Sequence, residues 1–585
     1  MSLISRKLQQ SRRLVVAASL TVLLAAWSPI VAFSQEGIVA RGQEPPAPAG
    51  QQQNPAQNPI TQPLALSPEV THQRVGIRDG EVQALALQDA ITMALQNNLD
   101  IEQFRQGVQI AERNLYSLKG VYDILSTSDV NYRSQTVPIV SIFGGAATST
   151  GSLTQRTITY NFTTSQFVER TGGYWEADFN NNRVVTSSTA ALLSTQFNPT
   201  LTLQVTQPLL RNFKIDQNRR TIRIAKKALD LSDSQFRQRV IEIINSVQRA
   251  YWDLVYAIRN EQIARESVEL ARTQLENNRK MVEAGTLAPI ELRSTEAQLE
   301  TAKGNVIVAL QGITTAENAL KVLLLKDSGD KIWSSAISPT DQPQTTNQAF
   351  DLDEATRLAL KNRPELDQIR LQTEQKNIDI SYYKSQTKPQ IDLVGSYGDI
   401  GLAGTPSSVV SSTTGQPLGA NVLSRFKGGY FQALNNLFTQ DYKTYQFGIH
   451  FSFPWRNRTA EGNLGRSLAE ARQLDARQRQ LVETVQVDVR NALQAVVASA
   501  QRLEAAKAAE AASLAQYNGE QERYRAGLST NFVVLQRLTD LSVAKGNTVR
   551  ALTDYNKALA DLQRVTGMTL VSNNVQVSSP AGGDK

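Results

Sequence analysis

Residues Thr444 to Trp455 read TYQFGIHFSFPW. Tyr445, Phe447, Ile449, Phe451 and Phe453 fall on one side of an extended chain, and Gln446, Gly448, His450 and Ser452 on the other. Period-two alternation over about ten residues, apolar outward and polar inward, suits a strand of a membrane barrel with a wet interior. Thr200 to Leu210, TLTLQVTQPLL, repeats the pattern, with Leu201, Leu203 and Val205 alternating with Thr202, Gln204 and Thr206. Two less regular segments, near Ser126 to Pro138 and Pro389 to Gly398, carry Val130 and Tyr132, then Ile391, Leu393 and Tyr397. The alternative reading is a pair of half-buried hairpins in a soluble sandwich.

Outward from these strands the chain turns helical. Pro208 and Pro454 stand at matching places near the ends of the two regular segments. Proline withdraws a ladder donor and presets φ, so both mark the passage from strand to helix. From about Gln217 to Ala284, an apolar stripe at steps of three and four runs through Phe236, Val240, Ile244, Val247, Tyr251, Leu254 and Ile258. A second stripe, from Leu464 through Leu474, Val485, Val489 and Val496 to Leu503, lies within Glu461 to Arg525. Such spacing gives a narrow seam for packing against other helices, and some 65 residues at 1.5 Å each make a rod of roughly 100 Å. Gly285 and Gly527 end the rods, where a left-handed residue closes a helix and turns it into a hairpin.

The architecture occurs twice. LALQDAITMALQNNLDI (Leu85 to Ile101) returns as FDLDEATRLALKNRPEL (Phe350 to Leu366), displaced by 265 residues. AKGNVIVAL (Ala302 to Leu310) returns as AKGNTVRAL (Ala544 to Leu552), and Ala284-Gly285 as Ala526-Gly527, both displaced by 242, so the first copy is about 23 residues longer. Each copy reads as short helix, medium helix, strand, long polar loop, strand, very long helix and final helix. The loops, Ile139 to Leu193 and Asp399 to Lys443, are crowded with Ser, Thr, Gly and Asn. This gives a first repeat over 83–330, a linker over 331–349, a second repeat over 350–568 and a flexible tail over 569–585.

The N-terminus has the grammar of a cleavable secretory signal over 1–34: Arg6, Lys7, Arg12 and Arg13, an apolar run from Leu14 to Trp27, and a small-x-small ending at Ala32-Phe33-Ser34. Residues 35–82 are rich in Pro and Gln and poor in apolar side chains, which predicts a flexible arm. The signal's four basic residues account for four of the formal net charge of +7, so the mature chain is nearly neutral and implies no nucleic-acid partner. The 585 residues include no cysteine and only two histidines, His72 and His450, with no metal-ligand spacing. No catalytic constellation and no cofactor motif emerges, so an exported hydrolase finds no support. No apolar stretch after the signal is expected to span a membrane as a helix.

The ordered set of a helix start like LDEATRLALKNRPEL (Leu352 to Leu366), a strand exit like VTQPLL (Val205 to Leu210) and a hairpin turn like RYRAGLS (Arg523 to Ser529) resembles TolC-like outer-membrane efflux proteins. The likeness runs from Leu85 to about Gly567. It implies a mainly α protein with a small membrane β part, built as two tandem repeats, in which each protomer gives four strands to a trimeric twelve-stranded barrel and its helices to a periplasmic tunnel. It implies an outer-membrane channel rather than an enzyme, a homotrimer in contact with lipid, and partners in a periplasmic adaptor and an inner-membrane pump. Adaptor contact is implied at the tips, Gly285, Thr286, Leu287, Gly527, Leu528 and Ser529. Some relatives carry acidic residues just past the second tip; this chain has Val533 and Gln536 in that stretch, with Glu291 after the first tip, so its tunnel entrance departs from an acidic ring. The competing reading is an exported coiled-coil structural or adhesive protein without a pore.

Overall fold

The computed structural model describes residues 74–78, 81–139, 151–344, 350–410 and 415–577. The expected signal segment, most of the arm and His72 lie outside them. The first half begins with β1 (Val82–Leu85), α1 (Leu87–Asn97) and α2 (Leu99–Lys119). Asn98 separates the two helices and caps the second, its Oδ1 accepting from Asp100 N and Ile101 N at 3.0 and 3.2 Å. Four strands follow: β2 (Leu125–Pro138), β3 (Ser152–Val168), β4 (Gly173–Thr186) and β5 (Leu193–Pro208). Then come the 67-residue α3 (Gln217–Glu283), the 35-residue α4 (Ile290–Leu324) and β6 (Ala336–Pro339).

The second half matches this in helix lengths. It runs α5 (Leu352–Asn362), α6 (Pro364–Gln386), β7 (Gln390–Ile400), β8 (Ala403–Pro406), α7 (Tyr430–Phe438) and β9 (Thr444–Ser452). The 68-residue α8 (Arg458–Arg525), the 35-residue α9 (Asn531–Val565) and the short α10 (Thr569–Ser572) complete it. Each long helix packs along its 35-residue partner as a hairpin. Val240, Ile244, Val247, Tyr251 and Leu254 of α3 share a buried core with Ile313, Leu320 and Leu324 of α4 and with Ala90 and Ile91 of α1. Val485, Val489, Val496 and Leu503 of α8 do the same with Tyr555, Leu559 and Leu562 of α9. Each such side chain, fully removed from water, contributes about 1.5–3 kcal/mol, which is why a seam a few residues wide holds so long a rod.

Among the described residues one large sheet has the order β2-β3-β4-β5-β7-β9, antiparallel throughout, with β8 pairing β5 beyond the end of β7. This corrects the expectation of four strands per chain. The stretch Ile139 to Leu193, read as a loop, carries β3 and β4, and this hairpin fits the greater length of the first copy. Its apolar positions, such as Ile158, Tyr160, Phe162 and Phe179, are set among Thr157, Thr159, Asn161 and Asn180 to Asn182. That composition resembles a polar loop until pairing reveals its alternation. The second expected loop also holds structure: β8, and α7, whose Tyr430 rests edge-on against Phe197 and donates to Asn181 Oδ1 at 2.8 Å.

Four further expectations need correction. The linker 331–349 contains β6, which pairs in parallel with β1, with Ala336 and Ile337 fully buried. The end of the arm is anchored by a buried ionic cluster: Arg74 Nη2 and Lys321 Nζ both meet Glu317, at 2.7 and 2.6 Å, and Lys321 also donates to the carbonyls of Trp333 and Ser335. Charges in a dry interior are held by opposite charges, as Glu317 holds both cations here. The tail is packed as far as residue 577, with Thr569 fully buried and Val575 and Val577 against the first core. Finally, α4 is long and apolar enough by composition to cross a membrane, contrary to expectation. Leu299, Ala302, Leu310 and Ile313 spend that apolarity on helix packing, while Ile307, Val308 and Val322 remain exposed.

Candidate conduit: strand wall, junction and helical tips

The register sorts the sheet into two chemical faces. Leu203 stands opposite Tyr397, which stands opposite Tyr445; Val205, Gly395 and Phe447 align in the same way. Cross-strand partners point to one side, so these rows form a continuous apolar face. On the other side Thr202, Gly398 and Thr444 align, as do Gln204, Ser396 and Gln446. The predicted residues Leu203, Val205, Tyr445, Phe447, Ile449, Phe451 and Phe453 are all exposed, Phe447 at 81%, while Leu201 is half-buried. A soluble protein rarely leaves so large an apolar surface bare. The outer strands β2 and β9 are exposed along nearly their whole length, and each has a single neighbour among the described residues.

At the foot of the sheet the chain passes into helix. Pro208 is the last residue of β5, opposite Asp392, and Pro454 lies two residues beyond β9. Asp216 caps α3, its Oδ1 accepting from Arg219 N at 2.8 Å while its Oδ2 takes Arg219 Nε at 2.8 Å. The guanidinium of Arg219 is nearly buried and also donates to the carbonyls of Arg170 and Asn212, so it fastens the β3–β4 turn to the first turn of α3. Arg220 pairs with Asp379 at 2.6 Å, linking α3 to α6, and Lys376 with Glu470 at 2.8 Å, linking α6 to α8.

At the far end the two hairpins turn. Gly285 and Gly527 both have φ of +73°, and the amides after them fold back, Thr286 N onto Met281 O at 2.9 Å and Leu528 N onto Arg523 O at 2.8 Å. Ser529 bonds Glu520 within its own hairpin. Thr286 and Leu528 project from the tips, Leu528 at 79% exposure, whereas Leu287 is half-buried.

Just above the tips lies a polar cluster that sequence reasoning missed. Asn278 Nδ2 donates to Asn531 Oδ1 at 2.7 Å and to Thr295 Oγ1 at 2.8 Å, while Tyr524 OH donates to Asn278 Oδ1 at 2.8 Å. Gln274 Nε2 reaches Asn278 and Asn531, and Asn531 Nδ2 reaches Thr295, Ser294 and Glu291. Gln274, Asn278, Thr295 and Asn531 are all buried, and the cluster joins α3, α4, α8 and α9. Burial, with Glu291 close by, pushes the Tyr524 phenol above its ordinary pKa. The available signal was polar side chains continuing an apolar stripe, as Gln274 and Asn278 do after Ala271. Of the three residues expected at an entrance, Glu291 is engaged in this cluster, Val533 is half-buried, and Gln536 is exposed and bonded to Asp540 at 3.1 Å.

Sequence and fold comparisons point in one direction. The family model described as "Outer membrane efflux protein" matches residues 176–324 and 355–568. No curated protein sequence matches the chain. Among solved structures, a membrane protein from Pseudomonas aeruginosa is similar at a TM-score of 0.57 and 16% identity, over 82% of this chain and 90% of that one. The CmeC outer membrane channel of Campylobacter jejuni gives 0.55 and 17%, over 83% and 86%. The MtrE outer membrane channel of Neisseria gonorrhoeae, solved in its open state, gives 0.51 and 18%, over 83% and 89%.

Proposed function

We propose, from the premise that this chain belongs to the outer membrane efflux protein family, that it is the outer-membrane channel of a tripartite efflux or type I secretion system. Three copies close the sheet into a barrel in the outer membrane and gather their helices, built as two tandem repeats, into a periplasmic tunnel. The tunnel conducts solutes or polypeptides passively. Energy comes from an inner-membrane pump, and a periplasmic adaptor engages the tips around Gly285, Thr286, Leu287, Gly527, Leu528 and Ser529. The channel performs no bond-breaking step, so its chemistry is that of a polar lining and a gate.

One observation carries this reading: an antiparallel sheet whose apolar face is exposed over β9 and the lower part of β5, whose outer strands each have one neighbour among the described residues, and which continues into helical hairpins roughly 100 Å long. In lipid, unpaired strand edges cost several kcal/mol per group, so a single copy cannot stay open there. The exposed Ile307, Val308 and Val322 on α4 support helix contacts between copies. The cluster at Asn278 and Asn531 supports a closed arrangement of the tips, with Glu291, Val533 and Gln536 near the entrance.

Purified full-length protein reconstituted in planar bilayers tests the proposal. Discrete single-channel conductance and heat-modifiable trimers are expected. A dissolved monomer that never inserts would favour the non-channel coiled-coil reading instead.

A further inference from the structure

The half of the β3–β4 hairpin nearer the helices obeys the rules of the wall that contains it, while farther out Asn181 and Arg183 fall on the apolar face beside Phe197 and Tyr430 of α7. Phe162 stands opposite Phe179, which stands opposite Leu201, on the apolar face; Thr163, Asp178 and Thr202 align on the polar face, where Thr163 Oγ1 donates to Asp178 at 2.6 Å. The strands have 17 and 14 residues, at about 3.3 Å each long enough to cross an apolar band of about 25 Å when tilted. The hairpin lies inside the sheet, so β2 joins the other strands only through β3. Its base is fixed twice, by the buried Arg219 at the turn and by Gln166 Nε2, which donates to Tyr122 O at 2.8 Å. These contacts make it a built element of the sheet.

The two free edges are complementary. The chain enters β2 from α2 and leaves β9 toward α8, so these outer strands run in opposite directions relative to the helices. With six strands per chain, an even number, the β9 edge of one copy meets the β2 edge of the next antiparallel, and the alternation of direction continues unbroken around a ring.

We propose that each copy contributes six strands, that β9 pairs with β2 of a neighbouring copy, and that three copies close an eighteen-stranded barrel. The inference rests on the trimeric channel reading above and adds the strand number and the bore. Strands about 4.8 Å apart and tilted about 40° give a wall roughly 24 Å across for twelve strands and roughly 36 Å for eighteen. Four helices per copy meet the sheet: α2, α3, α6 and α8. Twelve helices spaced by about 10 Å form a ring roughly 38 Å across. The wider wall therefore meets the helical tunnel almost without a step.

The test is a cryo-electron microscopy map of the full-length protein in lipid nanodiscs, beside that of a variant lacking residues 152–186. The expected result is eighteen strands around three copies for the native chain and twelve, with a bore narrower by about one third, for the deletion. A native trimer with a twelve-stranded wall and the hairpin folded outside it overturns the inference while leaving the channel reading intact. A monomer without a closed wall overturns both. The native map decides the matter even where the shortened chain fails to assemble.

Discussion

Asn278 and Asn531 are 253 residues apart in the chain and 2.7 Å apart in space, joined by an amide-to-carbonyl hydrogen bond with almost no solvent around it. The bond ties the descending arm of one helical hairpin to the first turn of the last helix of the other. Asn531→Ala removes the acceptor that Asn278 and Gln274 share, leaving Asn278 bonded to Thr295 and Gln274 to Asn278, and costs about 0.5–1.5 kcal/mol for each hydrogen bond lost. The tips then separate more easily, and single-channel conductance of the variant should exceed that of the native protein. Equal conductance in both would remove the cluster from any account of gating.

Tyr524 gives the same cluster a pH dependence. Its phenol is held neutral by burial and by Glu291, so its folded pKa lies above the ordinary value of 10.0. A raised pKa contributes stability that is complete below the unfolded value and is lost as pH rises through the folded one. The protection factors of amides in residues 274–295 and 524–535, which divide out the base catalysis intrinsic to amide exchange, should therefore fall above about pH 10. Tyr524→Phe should abolish that fall; its persistence would assign it to another group.

Two glycines with similar backbone angles should respond differently to alanine. At Gly285, with φ of +73°, a Cβ meets open space, so the cost is conformational, about 1–2 kcal/mol. At Gly172, with φ of +70°, a Cβ would stand 2.5 Å from Arg219 Nη2, 2.7 Å from Asp216 Oδ2 and 2.9 Å from the backbone oxygen of Asn212. Gly172→Ala therefore adds about 1–3 kcal/mol of overpacking and disturbs the clamp at the foot of the hairpin. Thermal unfolding followed by circular dichroism should rank Gly172→Ala clearly below Gly285→Ala; the reverse order would contradict this geometry.

Neighbouring residues on β9 test which face meets lipid. Phe447→Arg puts a charge on the bare apolar face, at about 2–4 kcal/mol near a bilayer midplane. Gln446→Arg puts the same charge on the polar face. Refolding into lipid vesicles, scored by heat-modifiable migration, should fail or slow for the first and proceed for the second, with altered ion selectivity. Equal refolding of both variants would refute the assignment of faces.

The sequence alone determined the long rods, because a stripe repeating every three or four residues over some 65 positions admits few conformations besides a packed helix. It determined the glycine-closed hairpin turns, the strand-to-helix passages at Pro208 and Pro454, and the regular strands around Leu203 and Phe447. Only the tertiary structure decided how many strands share the sheet, since Thr157 to Thr163 and Asp178 to Asn182 read as strand only once their partners are known. It also decided that Arg74 is buried against Glu317, that β6 completes a sheet with β1, and that Asn278 meets Asn531. The physical reason is common to all of these: periodicity reports which way a residue faces, whereas the pairing of polar groups depends on what the folded chain brings opposite it.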